Sequence, residues 1–143
     1  MNRINLITLG VKDINLSLAF YKDGLGFQTS VSDNSPTIVF FNNSGTKLSL
    51  YPIEALTKDV NDQEPEPVKG FPGFTLAYNA KSAEEVDEMM QMAKKAGGAI
   101  VKSPEHVFWG GYSGYFTDLD GYYWEVAYSK DWRFDENDML IIE

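Results

Sequence analysis

Glu125 stands in the run Tyr122-Tyr123-Trp124-Glu125-Val126-Ala127-Tyr128, a lone carboxylate among rings and aliphatic side chains. On a strand, alternation puts Trp124, Val126 and Tyr128 on one face and Tyr123, Glu125 and Ala127 on the other. If the second face looks into a cavity, Glu125 can pair with a cationic or hydrogen-bond-donating ligand, or take a proton as a general base. If that face is plain surface, Glu125 is a structural carboxylate satisfied by a neighbour such as Lys47 or Tyr123. Trp109-Gly110-Gly111-Tyr112 reads as a glycine-hinged aromatic loop, whose Trp109 either covers such a cavity or plugs the core. Tyr112 and Tyr115 either line the cavity or lie buried as strand aromatics. His106, the single imidazole, follows Ser103-Pro104-Glu105 and reads as a surface residue.

A hairpin must position this carboxylate. Asp118-Leu119-Asp120-Gly121 supplies a glycine for a turn with positive φ, and β-branched and aromatic residues flank it on both sides. A weaker copy lies earlier. Aligning residues 40–50 with 116–126 matches Phe40 with Phe116 and Gly45 with Gly121, and puts Ser49 in the place of Glu125, with Lys47 beside it. Residues 7–12, including Thr8, match 74–79, and a helix-like segment follows each. The chain reads as a tandem repeat of one strand-helix-three-strand unit.

A length of 143 residues, 43 % of them hydrophobic, fits one globular domain or two small halves sharing a sheet. No stretch approaches the roughly 20 apolar residues of a membrane span, and the N-terminus lacks a signal-peptide layout, so a cytoplasmic protein without a membrane partner is expected. Zero Cys excludes disulfides, thiolate metal sites and Cys nucleophiles; one His excludes a His-rich metal site. A net charge of −9 argues against nucleic acid and favours a neutral or cationic ligand.

Taken in order, residues 5–11 predict a strand, and Asp13 caps a helix with the stripe Leu16, Leu18, Ala19, Phe20 and Tyr21, stopped by Gly24 and Gly26. Strands are predicted at 27–31, 37–41 and 47–51. Between 54 and 73 the composition turns to acids and prolines without helical or strand periodicity, which reads as a linker or flap. Ser82-Ala83-Glu84-Glu85 opens a second helix with a capping-box pattern, and Val86, Met89, Met90 and Ala93 form its stripe. Residues 99–102 predict a strand that Ser103-Pro104-Glu105-His106 interrupts. The tail ends in Met139-Leu140-Ile141-Ile142, an apolar tip expected to dock on something.

Three segments carry a resemblance: Leu9-Gly10-Val11-Lys12-Asp13, then Ala19-Phe20-Tyr21 before Leu25-Gly26-Phe27, and Asp118-Leu119-Asp120-Gly121 before Trp124-Glu125-Val126. In order and spacing, over about residues 3–128, they resemble the vicinal oxygen chelate superfamily, which holds glyoxalase I, bleomycin-resistance proteins and extradiol dioxygenases. Leu119 stands where the family's turn usually has Pro. The resemblance implies an α+β fold of two tandem βαβββ modules, 1–53 and 73–130, with linker 54–72 and tail 131–143. Their strands would form a curled, cup-like mixed sheet with helices outside, usually in a homodimer.

In the family's metal-dependent members four positions hold a divalent cation. By the repeat they fall here on Leu6, Ser49, Gly73 (Phe74 if the register is off by one) and Glu125, of which only Glu125 binds metal well. No cofactor is therefore expected. The expected function is metal-independent binding of a small aromatic or cationic molecule by Glu125, Trp109, Tyr112, Tyr123, Ser49, Thr8 and Lys47. The alternative is a glyoxalase-like lyase or isomerase, with Glu125 as catalytic base or as the sole retained ligand of a weakly held divalent metal.

Overall fold

The computed structural model describes residues 2–32, 34–60 and 70–142. They belong to two units, Met1–Lys69 and Gly70–Glu143. In the first, β1 (Leu6–Val11) buries Leu9 and Val11. Asp13 then caps α1 (Ile14–Ala19), its Oδ1 accepting from the backbone N–H of Asn15 at 2.9 Å and of Leu16 at 3.0 Å. This satisfies two donors that the helix start would otherwise orphan. The helix widens into a π turn, Phe20–Gly24, closed by Leu25 N–H on the Phe20 carbonyl at 3.0 Å. Gly26 leaves it at φ 79°, a conformation that suits glycine.

β2 (Val39–Phe40) and β3 (Lys47–Pro52) complete a sheet of order β1-β3-β2, with β1 parallel and β2 antiparallel to β3. Leu48, Leu50 and Val39 join Leu9 and Val11 in the core. The rings of Tyr21, Phe27 and Phe41 pack edge to face or tilted beside them, Phe27 lying 5.4 Å from Phe41.

Two expectations for this unit are corrected. Residues 27–31 form no strand. They run beside β2 on isolated bonds, Asn42 N–H to the Gln28 carbonyl at 2.7 Å and the Thr29 hydroxyl to the Phe40 carbonyl at 2.7 Å. The segment read as lacking periodicity opens with a helix, α2 (Ile53–Val60), because Ile53, Leu56 and Val60 recur at helical spacing. Residues 61–69 of that segment lie outside the described residues.

The second unit holds β4 (Leu76–Asn79), α3 (Ala83–Lys95), β5 (Ala99–His106), β6 (Tyr112–Thr117) and β7 (Tyr123–Tyr128). Its sheet has the order β4-β7-β6-β5, with β4 parallel to β7 and the remaining pairs antiparallel. Ser82 caps α3, its Oγ accepting from Glu85 N–H at 3.1 Å. The Glu85 carboxylate does not close the expected box. It accepts from Lys81 N–H at 2.7 Å and from the Tyr78 hydroxyl at 2.6 Å.

Val86, Met90 and Ala93 bury the inner face of α3 against β5, β6 and β7. A Cβ built at Gly114 would lie 3.1 Å from Met90 Cε, so α3 covers the face that carries Gly114. Phe116 and Trp124 share that face, stacked at 6.1 Å with an interplanar angle of 1°. β5 continues through Ser103-Pro104-Glu105 to His106, where an interruption was expected, because two register shifts absorb the irregularity.

The tail folds back on itself, with Phe134 bridged to Leu140 and Asp135 Oδ1 accepting from Asn137 and Met139 N–H at 2.8 and 2.9 Å. Asp138 pairs with Lys81. Ile142 at the tip is 82 % exposed.

The fold is thus α+β, with two mixed sheets and helices packed on them, and neither sheet closes. No helix among the described residues is long and apolar enough to cross a membrane.

Candidate functional site

The hairpin that carries Glu125 is held by its turn. Asp118 is 5 % exposed, and its Oδ1 accepts from Asp120 N–H at 3.0 Å and Tyr122 N–H at 2.9 Å. Asp118 N–H donates to the Tyr122 carbonyl at 3.0 Å, and Gly121 takes φ 88°. This locks the register: Thr117 opposes Tyr123, Phe116 opposes Trp124 and Tyr115 opposes Glu125.

Directly opposed residues point to the same face. Tyr115, Glu125 and Tyr123 therefore share the face away from α3. Across the whole sheet the row reads Lys102, Tyr115, Glu125, Ala77. Glu125 and Tyr115 are half-buried.

Tyr115 stands directly across from Glu125 on the neighbouring strand. Burial, and then the charge of the Glu125 carboxylate, raise the phenol above its ordinary value. Tyr123 packs edge to face on Phe71 at 5.3 Å, which fixes one ring two residues from the carboxylate.

Tyr112 has the parity of Gly114 and Phe116. Its hydroxyl donates to Asp87 on α3 at 2.9 Å, on the sheet face opposite to that of Glu125. Trp109 stacks on Trp132 at 5.8 Å and lies over Gly111, where a Cβ would come within 1.7 Å of its ring. His106 is exposed and rests its ring 5.0 Å from that of Tyr112.

In the first unit, Ser49 is fully buried and donates to the Thr8 hydroxyl at 2.8 Å from the opposing position of β1. The Lys47 ammonium donates to the Asn43 carbonyl. The face that carries Thr8 and Gly10 is partly covered by α2: a Cβ on Gly10 would meet Ile53 Cδ1 at 2.2 Å and Leu56 Cδ2 at 3.2 Å.

The sequence left Tyr112 and Tyr115 open between lining a cavity and lying buried. Counting back from the Asp118 turn would have placed Tyr115 opposite Glu125 and Tyr112 on the reverse face.

A family model described as the Glyoxalase/Bleomycin resistance protein/Dioxygenase superfamily matches residues 3–126. The chain belongs to this superfamily. A glyoxalase-related enzyme from Fulvimarina pelagi is 27 % identical, with 99 % of each chain covered and a TM-score of 0.88. The hypothetical protein SA1046 from S. aureus is 26 % identical over 90 % of this chain and 94 % of its own, TM-score 0.74. A lactoylglutathione lyase from Agrobacterium tumefaciens shares the fold at 23 % identity, with 94 % and 98 % covered and a TM-score of 0.69. Among curated proteins none matches significantly.

Metal-dependent relatives raise the question of whether this chain's residues fit a cation. Thr8 and Ala77 lie equally far before the caps Asp13 and Ser82 and oppose Ser49 and Glu125. That equivalence moves the second-module counterpart of Leu6 from Gly73 to Thr75. The donor set becomes a hydrocarbon, two hydroxyls and one carboxylate, with the Ser49 hydroxyl already hydrogen-bonded. Among the described residues no three His, Asp or Glu side chains cluster as metal ligands. These residues do not fit a catalytic zinc or iron centre, which needs three or more strong N, O or S donors.

Proposed function

We propose that this superfamily member binds a small molecule without a resident metal, gripping an aromatic or cationic ligand through Glu125. The observation that carries the proposal is a half-buried carboxylate on the sheet face away from α3, opposed by Tyr115 and next to the Tyr123 ring. A carboxylate there supplies charge and acceptors, and the ring supplies a face for stacking or cation–π attraction. Charge-assisted hydrogen bonds contribute about 1.5 to 3 kcal/mol, so Glu125→Gln should weaken a cationic probe by roughly tenfold or more. Calorimetric titration of wild type and Glu125→Gln with benzamidinium, benzamide and benzoate tests this. Preference for the cation, lost in the variant without a fall in melting temperature, supports the proposal; equal affinity in both proteins removes it.

A second reading, a glyoxalase-like lyase or isomerase with Glu125 as base, is favoured by the likeness to the Fulvimarina glyoxalase-related enzyme over 99 % of both chains. Turnover of lactoylglutathione that Glu125→Gln abolishes would put this reading first. We further propose a cytoplasmic homodimer, for which the exposed Ile141 and Ile142 offer an apolar contact. Light scattering that finds a monomer at micromolar concentration would remove the dimer.

A further inference from the structure

We infer that Ser113 sets the specificity of the Glu125 site: its buried, unpartnered hydroxyl takes a neutral hydrogen-bonding group, a hydroxyl or carboxamide, carried by the cation that Glu125 holds. The inference rests on the binding proposed for Glu125 and adds the chemistry of the ligand's second group.

Ser113 opposes Ala127 on β7, and Tyr115, two residues further along β6, opposes Glu125. Both pairs face away from α3, so Ser113 stands diagonally next to Glu125, about 7 to 8 Å away between Cα atoms. Burial grades across this face. Ser113 and Ala127 are 2 % and 1 % exposed, Glu125 is half-buried, and Ala77 on its other side is exposed. A ligand that enters over Ala77 meets the carboxylate first and Ser113 at the closed end.

Among the described residues, no hydrogen bond reaches the Ser113 hydroxyl. Ser49 and Ser129, which are also buried, each have one. At such low exposure bulk water does not supply the bond, and an orphaned hydroxyl destabilises the free chain. If the position needed only a small side chain, alanine would fill it without that cost. A ligand group wedged in from the Glu125 side recovers the missing bond.

The hydroxyl also gives the class of that group. It both donates and accepts, so it pairs with a ligand hydroxyl or carboxamide. A second charge there would lose its water beside the Ala127 methyl group with no counter-ion, which disfavours it. Because Glu125 and Ser113 are diagonal neighbours, the cation and the neutral group lie on one side of the ligand, as in a meta-substituted ring.

The experiment titrates the full chain with benzamidine, 3-hydroxybenzamidine and 3-methylbenzamidine, the last matching the hydroxyl in size without hydrogen-bonding. Wild type should bind the hydroxyl compound roughly tenfold more tightly than the methyl one, and in Ser113→Ala that ratio should fall to about twofold or less. The melting temperature of Ser113→Ala should equal or exceed that of wild type, since the free chain loses no bond. A lower melting temperature shows the hydroxyl already engaged and overturns the inference, as does a wild-type ratio near one or a ratio that survives the substitution. Benzamidine binding that Glu125→Gln weakens, without a hydroxyl preference, leaves the Glu125 reading standing and removes the role of Ser113 alone. Failure of wild type to bind benzamidine removes both.

Discussion

Ser49 and Glu125 occupy equivalent places in the two halves of the chain: each is opposed, across a parallel pair of strands, by the residue equally far before its helix cap. Ser49 faces a hydroxyl, Thr8, and is sealed against it; Glu125 faces a methyl group and is only half-buried. Ser49→Ala should therefore cost about 1 kcal/mol, the net worth of one buried hydrogen bond, and leave binding at Glu125 unchanged. Urea denaturation beside a probe titration checks both parts.

Gly114 and Gly10 predict a contrast. A Cβ at Gly114 would lie 2.9 Å from the Lys102 carbonyl oxygen and 3.0 Å from Pro104 N, both backbone atoms of β5 that cannot rotate away. Gly114→Ala should destabilise by about 1 to 3 kcal/mol. At Gly10 the obstacle is the tip of a flexible side chain, Ile53 Cδ1. Gly10→Ala should cost less and loosen α2, and adding Ile53→Val should recover part of the loss, a coupling that a double-mutant cycle measures.

Asp118 satisfies two backbone N–H groups from a nearly buried position. Asp118→Ala should cost about 1 to 3 kcal/mol in chemical denaturation, because two part-buried donors lose their acceptor. Asp118→Asn keeps an oxygen in place and should lose clearly less.

Tyr78 sets an alkaline limit. Burial, its hydrogen bond to Glu85 and the negative charges of Glu85 and Asp138 push its phenol from 10.0 up to about 12. The folded chain thus holds this proton more tightly than the unfolded chain does. The resulting stabilisation is complete below pH 10.0 and is lost as pH rises towards about 12. Because Tyr78 is 41 % exposed, the effect is small at neutral pH. Tyr78→Phe should flatten the fall in urea midpoint across that window.

The parts of this fold legible in the sequence were those set by local chemistry. Asp13 and Ser82 start helices as their side chains dictate, and Asp120-Gly121 turns a hairpin where a positive φ is needed. What stayed hidden depends on partners distant in the chain. Residues 27–31 have strand-like composition, but the ladder beside them forms only isolated bonds. α2 is short and borders a run of acids and prolines, so its three apolar positions gave little signal until Gly10 supplied the space that Ile53 fills. For the site, Glu125 and Tyr123 were legible from alternation alone. The face of Tyr112 stayed open in the sequence, because it depends on the β6–β7 register that places it on the side of α3.

The irregular course of β5 also governs how the chain meets its own kind in a crowded solution. β5 is an outer strand of its sheet, eight residues long, and a straight strand of that length would offer an open ladder of N–H and carbonyl groups to any other extended chain. Two register shifts bend that ladder, and Pro104 removes one donor from it. The opposite edge, β4, has only four residues. Strand-by-strand growth into fibrils is thereby discouraged at both margins of the sheet that carries Glu125.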